Sequence, residues 1–322
     1  MNLHITYSPD YLNWLLGAGD GSHPTNPVRA KLATDLLTER LGNQVSVVQP
    51  LGESQRAAAI EAVKSIHEAD YVDRVLAGYS SEWSGVRPEM GETALAMFAG
   101  TMRAVELLLA GEATVVFNPQ GAKHHARFNY GSGFCVFNDM AWAAVELQKA
   151  GLKPLYLDWD IHAGDGVYHL LKGTGIPAIS IHNGGIYPID AEMQNLNGKR
   201  ETLHRPNDHA YNFNVVTGDG DDAFRWAIDG AADVIRQYQP DVILLAAGAD
   251  GHGGQGNLGE INSFTAAGFA HAAKTVAQLA NEFSAGRVII GGAGGYQPLK
   301  ETPETWALVV ETIYNETKKE TR

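Results

Sequence analysis

An α/β fold, with a mostly parallel central sheet covered by helices on both faces, is predicted by three observations. The second half of the chain repeats a rhythm of strand, loop and helix, which argues for a parallel sheet wrapped by helices. Its strands are continuous apolar runs such as Leu155-Tyr156-Leu157 and Val242-Ile243-Leu244-Leu245, the pattern of strands buried on both faces. Five strand ends carry glycines together with Asp, His or Tyr, and in such folds the ligand site lies at the carboxyl ends of the strands.

The elements follow in order. Residues 2–7 alternate weakly and predict a first strand. Asn26 caps a helix with Pro27 at its first position, running to about Gly42, since proline has the right φ and no N–H to waste there. Val45–Val48 is a short strand, and Ser54 to about His67 a helix with apolar residues at helical spacing. The segment Gly78–Gly91 reads as a long polar loop with an exposed tryptophan, Trp83, and long loops are often functional. Thr93–Leu109 is an alanine- and leucine-rich helix closed by Gly111. Strands are expected at 113–118, 154–159, 177–182, 241–247 and 287–291, and helices at 139–150, 222–238, 264–283 and 304–318. No repeat, low-complexity tract or linker divides the chain, so residues 1–322 are expected to form one domain.

Composition narrows the function classes. The 322 residues are 44% hydrophobic, ample for a large core, and 36 glycines suit many tight loops. The net charge of −13, from 24 basic and 37 acidic residues, disfavours nucleic acid and mildly favours basic substrates. Cys135 is the single cysteine, which excludes an internal disulfide and a cysteine-rich zinc site. The start Met1-Asn2-Leu3-His4-Ile5-Thr6 has no signal-peptide pattern, and no apolar run is long enough to cross a bilayer. A cytoplasmic protein without membrane partners is expected.

The chemistry concentrates in Leu155–Gly166. This stretch begins as a buried strand and delivers three carboxylates and one imidazole within eight residues, Asp158, Asp160, His162 and Asp165. In extended chain, residues two apart share a face, and Asp-x-His is a good ligand pair for zinc or another borderline divalent metal. The same stretch also reads as a charged turn. A preceding strand end offers His124-His125, and imidazoles titrate near neutrality and serve as general acids or bases. Another reads Ala247-Gly248-Ala249-Asp250-Gly251-His252 and the last Gly291-Gly292-Ala293-Gly294-Gly295-Tyr296. Their convergence on one sheet edge favours a catalytic metal site. Gly251-His252-Gly253-Gly254-Gln255-Gly256 matches a dinucleotide fingerprint letter for letter, but Asp250 beside it would repel a pyrophosphate.

Taken together, several motifs carry a family resemblance. They are His23-Pro24 with Asn26-Pro27-Val28-Arg29, His124-His125-Ala126, Gly133-Phe134-Cys135, Asn138-Asp139 and Asp158-Trp159-Asp160-Ile161-His162. Ser180-Ile181-His182, Gly218-Asp219-Gly220-Asp221, Ala247–His252 and Gly294-Gly295-Tyr296 continue the series. The chain resembles, collinearly and over nearly its whole length, the histone deacetylase superfamily, which includes bacterial acetoin-utilisation proteins and acetylpolyamine amidohydrolases. The resemblance implies a single arginase/deacetylase-like domain that hydrolyses an acyl amide.

It further implies Asp160, His162 and Asp250 as metal ligands, for zinc or ferrous iron, with His124 and His125 as the tandem active-site histidines. Asp158 would orient His124, Asp165 would orient His125, and Tyr296 would hydrogen-bond the substrate carbonyl. Phe134 and Tyr187 or Ile186 resemble walls of an acyl-lysine tunnel, with Leu258 added, and Glu82 the acidic rim residue. A structural potassium ion is implied at main-chain oxygens of Asp158, Asp160, His162 and Ile181 with the side chains of Asp158 and Ser180.

The expected substrate is an acetyl-lysine protein or an acetylated small amine such as a polyamine. The chain departs from the family pattern in having His162-Ala163-Gly164 for the usual His-His-Gly. It also has Ala122-Lys123 before the histidine pair, where Lys123 is expected to put a positive charge near the mouth. The glycine-rich loop after Asp250 lacks the charged pattern of some subgroups. A two-metal ureohydrolase on the same fold and a non-catalytic acyl-amine binding protein are the alternatives, and the oligomeric state is left open.

Overall fold

The computed structural model describes residues 2–16, 23–52, 55–254 and 261–319. Among these, nine strands form one sheet: β1 (Leu3–Thr6), β2 (Val45–Val48), β3 (Val115–Asn118), β4 (Pro154–Asp158), β5 (Ala178–Asn183), β6 (Glu201–Arg205), β7 (Ala210–Val215), β8 (Val242–Ala246) and β9 (Val288–Gly291). Their order is β2-β1-β3-β9-β8-β4-β5-β7-β6. Every pairing is parallel except β6 with β7 at one edge. This is the α/β architecture expected.

The helices are α1 (Val28–Leu41), α2 (Arg56–Lys64), α3 (Ala69–Leu76), α4 (Pro88–Leu109), α5 (Asp139–Lys149), α6 (Asp165–Leu171), α7 (Asp221–Tyr238), α8 (Ala266–Phe283) and α9 (Glu301–Lys319). The period-2 geometry of the strands divides the core into two layers. Leu155, Leu157, Ile243, Leu245, Val288 and Ile290 face one layer, which is completed by α1, α7, α8 and α9. Tyr156, Val242, Leu244 and Ile289 face the other, completed by α2 to α6. A central strand buried on both sides has no polar face to show, which is why these runs carry no alternation.

Local signals act as anticipated at several ends. The Asn26 side chain accepts the Val28 N–H at 3.0 Å, so the cap sits one residue ahead of Pro27. Thr265 accepts from Ala267 N–H to start α8, and Asn138 accepts from Ala141 N–H to start α5.

Four expectations need correction. The Gly78–Gly91 segment is not loop throughout, because α4 begins at Pro88, with proline again in the first turn. Trp83 is not exposed: it is 8% accessible, stands edge-on to Trp14 with ring centroids 6.0 Å apart, and donates its indole N–H to Gly78 O at 2.9 Å. Helices α3 and α6, only about two turns long, are absent from the expected set. So is the β6–β7 hairpin. Strand β6 is polar, as an edge strand that must resist pairing with another chain should be, and β7 carries Asn212 and Asn214, poor strand formers by propensity. Both asparagines are buried and hydrogen-bonded, to Leu203 O at 2.9 Å and Met193 O at 3.1 Å, so contacts remote in sequence hold them there.

Adjacency in the sheet positions the site. Strand β4 lies between β8 and β5, and β9 lies between β3 and β8. The loops after β3, β4, β8 and β9 therefore leave neighbouring strand ends on one edge.

Candidate active site

Asp160 and His162 follow β4 and Asp250 follows β8, its neighbour in the sheet. Their ligand atoms all lie within 4.8 Å of one another. His162 Nδ1 is 3.1 Å from Asp160 Oδ1 and 2.9 Å from Asp250 Oδ2. The backbone holds the carboxylates in place: Gly294 N–H donates to Asp160 Oδ2 at 2.6 Å, and Ile161 N–H donates to Asp250 Oδ1 at 3.0 Å. Gly294 is glycine for a reason of space, since a Cβ there would meet Asp250 Oδ2 at 2.3 Å and Asp160 Oδ2 at 2.4 Å.

The charge balance of this trio shows what it suits. Burial and the neighbouring Asp160 raise the Asp250 carboxyl. Burial alone would lower the His162 imidazole, but Asp160 and Asp250 carry it up to about 10. The cluster draws positive charge to the point where one nitrogen and two carboxylates converge. A mixed N/O donor set of this kind fits zinc or ferrous iron.

Two histidines stand beside it, each on its own carboxylate. His124 Nδ1 is 2.8 Å from Asp158 Oδ2, and His125 Nδ1 is 2.6 Å from Asp165 Oδ1. Their ring centroids are 4.0 Å apart, so only one charges readily. Burial opposes charge on His124, but Asp158 and Asp160 outweigh it and raise the imidazole to about 9. Burial and the positive His124 push His125 down to about 4. A cation and a neutral base thus lie side by side.

Tyr296 follows β9 and stands edge-on to His162, with centroids 6.2 Å apart. Burial and the Asp250 charge raise its phenol well above the ordinary range, so it keeps its proton.

The site opens into a cavity of ≈ 350 Å³ lined by Glu82, His125, Gly133, Phe134, His162, Tyr187 and Tyr296, within the range of small-molecule pockets. Gly133 and Phe134 both have positive φ, 55° and 66°. A Cβ on Gly133 would meet His125 Cδ2 at 2.4 Å, and a non-glycine residue held left-handed beside a site is local strain. This turn carries Phe134 into the wall, where His23 stands edge-on to it at 4.8 Å. Of the two wall candidates, Tyr187 lines the cavity and meets Ser132 through its hydroxyl, whereas Ile186 packs against the core. Glu82 also lines the cavity, but its carboxylate accepts the Phe134 N–H at 2.6 Å and burial raises it. Leu258 lies outside the described residues.

The residues read as a potassium site occupy the β4 and β5 ends, where Asp158 pairs with Ser180 in register. Asp158 Oδ1 accepts Asp160 N–H at 2.9 Å, and the Ser180 hydroxyl is 2.8 Å from His182 Nδ1. Lys123 is not at the mouth, as its sequence position suggested. It lines a different, smaller cavity with Trp14, Arg29 and Cys135. His252, two residues beyond Asp250, packs against Phe269.

Sequence reasoning missed three members. Tyr156 donates its hydroxyl to Asp158 Oδ2 at 2.6 Å. Arg127 reaches the free oxygen of Asp165 at 2.5 Å and also Asp190 at 3.2 Å, and Asp190 is 2.7 Å from His169 Nε2. Tyr156 reads as an ordinary strand residue, and Asp190 lies 25 residues beyond Asp165, so no local spacing points to either.

Comparison with known proteins agrees with the resemblance. The histone deacetylase domain model matches residues 23–313. The chain is 29% identical over 325 residues to the acetoin utilization protein AcuC of Bacillus subtilis strain 168, covering 94% of this chain and 80% of that one. It is 26% identical over 319 residues to AcuC of Staphylococcus aureus strain MRSA252, covering 91% and 78%. It is 30% identical over 253 residues to histone deacetylase B of Dictyostelium discoideum, covering 71% of this chain and 56% of that one. With the family model spanning most of the chain, over a parallel sheet whose strand ends carry this constellation, the protein belongs to the histone deacetylase family.

Proposed function

We propose that residues 1–322 act as one catalytic unit that hydrolyses an acyl amide, releasing a short acid from an acetyl-lysine side chain or an acetylated small amine. The observation that carries this reading is the juxtaposition of Asp160, His162 and Asp250 with two carboxylate-backed histidines and Tyr296 beside one cavity. A divalent zinc or ferrous ion held by the three ligands would polarise the carbonyl and acidify a bound water.

The protein's own residues do the rest. His125, neutral and with Nδ1 donated to Asp165, accepts the proton of the attacking water and passes it to the amine as the C–N bond breaks. His124, cationic beside it, stabilises the negative charge that develops. Tyr296 donates its hydroxyl to the carbonyl oxygen as that oxygen gains charge. Phe134 and Tyr187 flank the acyl-amine chain, Glu82 sits at the rim, and the β4 and β5 ends would hold a potassium ion. The protein works in the cytoplasm.

The test is acetate release by protein reconstituted with zinc or with ferrous iron, from an acetyl-lysine peptide, acetylputrescine and acetylspermidine. Release from any of the three, with about one catalytic metal per chain as the single ligand trio implies, is the expected result. Two metals per chain would favour a ureohydrolase-type enzyme. Tight binding without release from any of them would favour a binding protein.

A further inference from the structure

The carboxylate behind His125 is itself held by a series of charged groups that runs outward to the surface. Asp165 Oδ1 is 2.6 Å from His125 Nδ1, and Asp165 Oδ2 accepts from Arg127 Nη2 at 2.5 Å. The same Arg127 nitrogen lies 3.2 Å from Asp190 Oδ2, which in turn lies 2.7 Å from His169 Nε2. The series starts buried at Asp165 and ends at His169, whose side chain is 33% accessible. Arg127 depends on both of its carboxylates. Its Nη2 serves the two together, and its Nε is buried without a partner among the described residues. A guanidinium fixed by two charge-assisted bonds turns about the remaining one when either is lost.

Asp190 is equally committed to the wall of the cavity. Its N–H donates to Gln194 Oε1 at 2.7 Å, its Oδ1 accepts the Glu192 N–H at 2.9 Å, and its carbonyl accepts the Met193 and Gln194 N–H groups at 3.0 and 2.7 Å. Gln194 closes the loop by donating to Ile186 O at 2.7 Å and Asn183 O at 3.2 Å. Tyr187 lies on the segment so closed, three residues before Asp190, with its ring edge-on to His125 at 5.1 Å. Ile189, between them, has a φ of 56°. A β-branched residue takes that left-handed conformation only where its surroundings impose it, and such strain gathers at working sites. His169, with the Glu192 N–H and Arg127, outweighs burial and holds the Asp190 carboxyl below the ordinary range, so it stays charged.

We propose that Asp190 is a positioning residue that serves two parts of the reaction at once. Through Arg127 it fixes Asp165, and so the orientation of His125. Through its own loop it fixes Tyr187, one wall of the cavity. The inference rests on the amide-hydrolase reading above and adds a residue that lies outside the reacting groups. Arg127 takes part in the first task only, so its loss acts on turnover. Loss of the Asp190 charge acts on turnover and on substrate binding together. Residues that share a partner in this way give non-additive effects when both are changed.

The experiment measures kcat and KM for an acetyl-lysine peptide, acetylputrescine and acetylspermidine in the metal-reconstituted full chain, with metal content and Tm taken on the same samples. Asp190→Asn should lower kcat about tenfold and raise KM about fivefold, the size of one coupled contact on each side. Added to Arg127→Met, it should cost less than about twofold more in kcat, and added to Tyr187→Leu it should leave KM within about twofold. Effects that multiply in both double variants, or a KM unmoved by Asp190→Asn, overturn the proposal while leaving the amide-hydrolase reading intact. A residue needed only for folding would lower Tm and the active fraction without moving KM.

Amide hydrogen exchange gives a readout without turnover. Asp190→Asn should speed exchange in residues 184–194 and also in 123–131, and Arg127→Met should do the same from the other side. The Arg127 variant carries this test alone if Asp190→Asn does not fold. Faster exchange confined to the altered residue's own segment, in either variant, overturns the coupling. If the wild type cleaves none of the substrates, the amide-hydrolase reading fails, and exchange alone decides whether Asp190 links the two segments.

Discussion

Asp165 Oδ1 lies 2.6 Å from His125 Nδ1, so that nitrogen is taken up by the carboxylate and Nε2 is the one left for other partners. A neutral imidazole that donates from Nδ1 keeps the Nε2 lone pair for a proton. The other oxygen of Asp165 is held by Arg127 at 2.5 Å, so the carboxylate cannot rotate away. Asp165→Asn should lower kcat about 10²- to 10⁴-fold, the usual worth of a positioned acid–base group. Arg127→Met should give a smaller loss, about tenfold, with KM little changed. Steady-state acetate release with metal content measured on the same samples checks both. Full turnover in Asp165→Asn would remove His125 from the role of base.

Tyr296 keeps its hydroxyl proton because burial and the Asp250 charge oppose ionisation. A phenol that stays neutral can donate to an oxygen as negative charge develops on it. Tyr296→Phe should therefore reduce kcat about 10²- to 10³-fold and leave KM nearly unaltered. Undiminished kcat in the variant would show that the carbonyl oxygen is stabilised by other groups.

Gly294 brings the backbone close against the ligand trio. A methyl group there would displace oxygens of Asp160 and Asp250 by more than packing tolerates. Gly294→Ala should weaken metal binding at least about tenfold, as loss of supporting contacts around a metal typically does, with far-UV circular dichroism unchanged. Metal titration against a fluorescent chelator measures it, and wild-type affinity would mean that the trio is not the metal site.

His67 ties the loop around Arg127 to the start of α5. Its Nδ1–H donates to Arg127 O at 2.8 Å and its Nε2 accepts the Asn138 N–H at 2.8 Å, so a second proton has no acceptor. Burial lowers its pKa to about 4, against about 6.5 in an unfolded chain. The unfolded state then takes up the proton first. Stability from this residue is complete above pH 6.5 and is lost as pH falls towards 4, by at most about 3 kcal/mol. Urea denaturation of the wild type at pH 7, 5.5 and 4.5 should show a steeper loss than His67→Gln shows. Parallel curves for the two would remove His67 as the source.

Much of the fold was legible because burial on both faces leaves a plain mark: β4, β8 and β9 are short, uninterrupted apolar runs. The site was legible where strand ends carry it. Asp160, His162 and Asp250 stand directly beyond β4 and β8, and His124-His125 beyond β3. What could not be read follows from contact rather than sequence. Trp83 sits in a polar segment yet is covered by Trp14, about 70 residues earlier. The β6–β7 hairpin carries asparagines whose side chains bond across to Leu203 O on β6 and to Met193 O in the turn before it. Lys123, placed at the mouth by its position before the histidine pair, turns into the cavity beside Arg29.

By itself the sequence determined the alternation of strands and helices, the polar punctuation at strand ends, and the residue types able to bind a metal or move a proton. These are local matters, set by periodicity, propensity and chemical identity. Only the tertiary structure decided that Arg127 and Tyr156 complete the carboxylate–histidine pairs, that Tyr187 rather than Ile186 lines the cavity, and that Lys123 turns inward beside Arg29. Each of these depends on distances between segments far apart in the chain. Such distances are fixed by the order of strands in the sheet and the packing on its two faces, and not by any neighbouring residue.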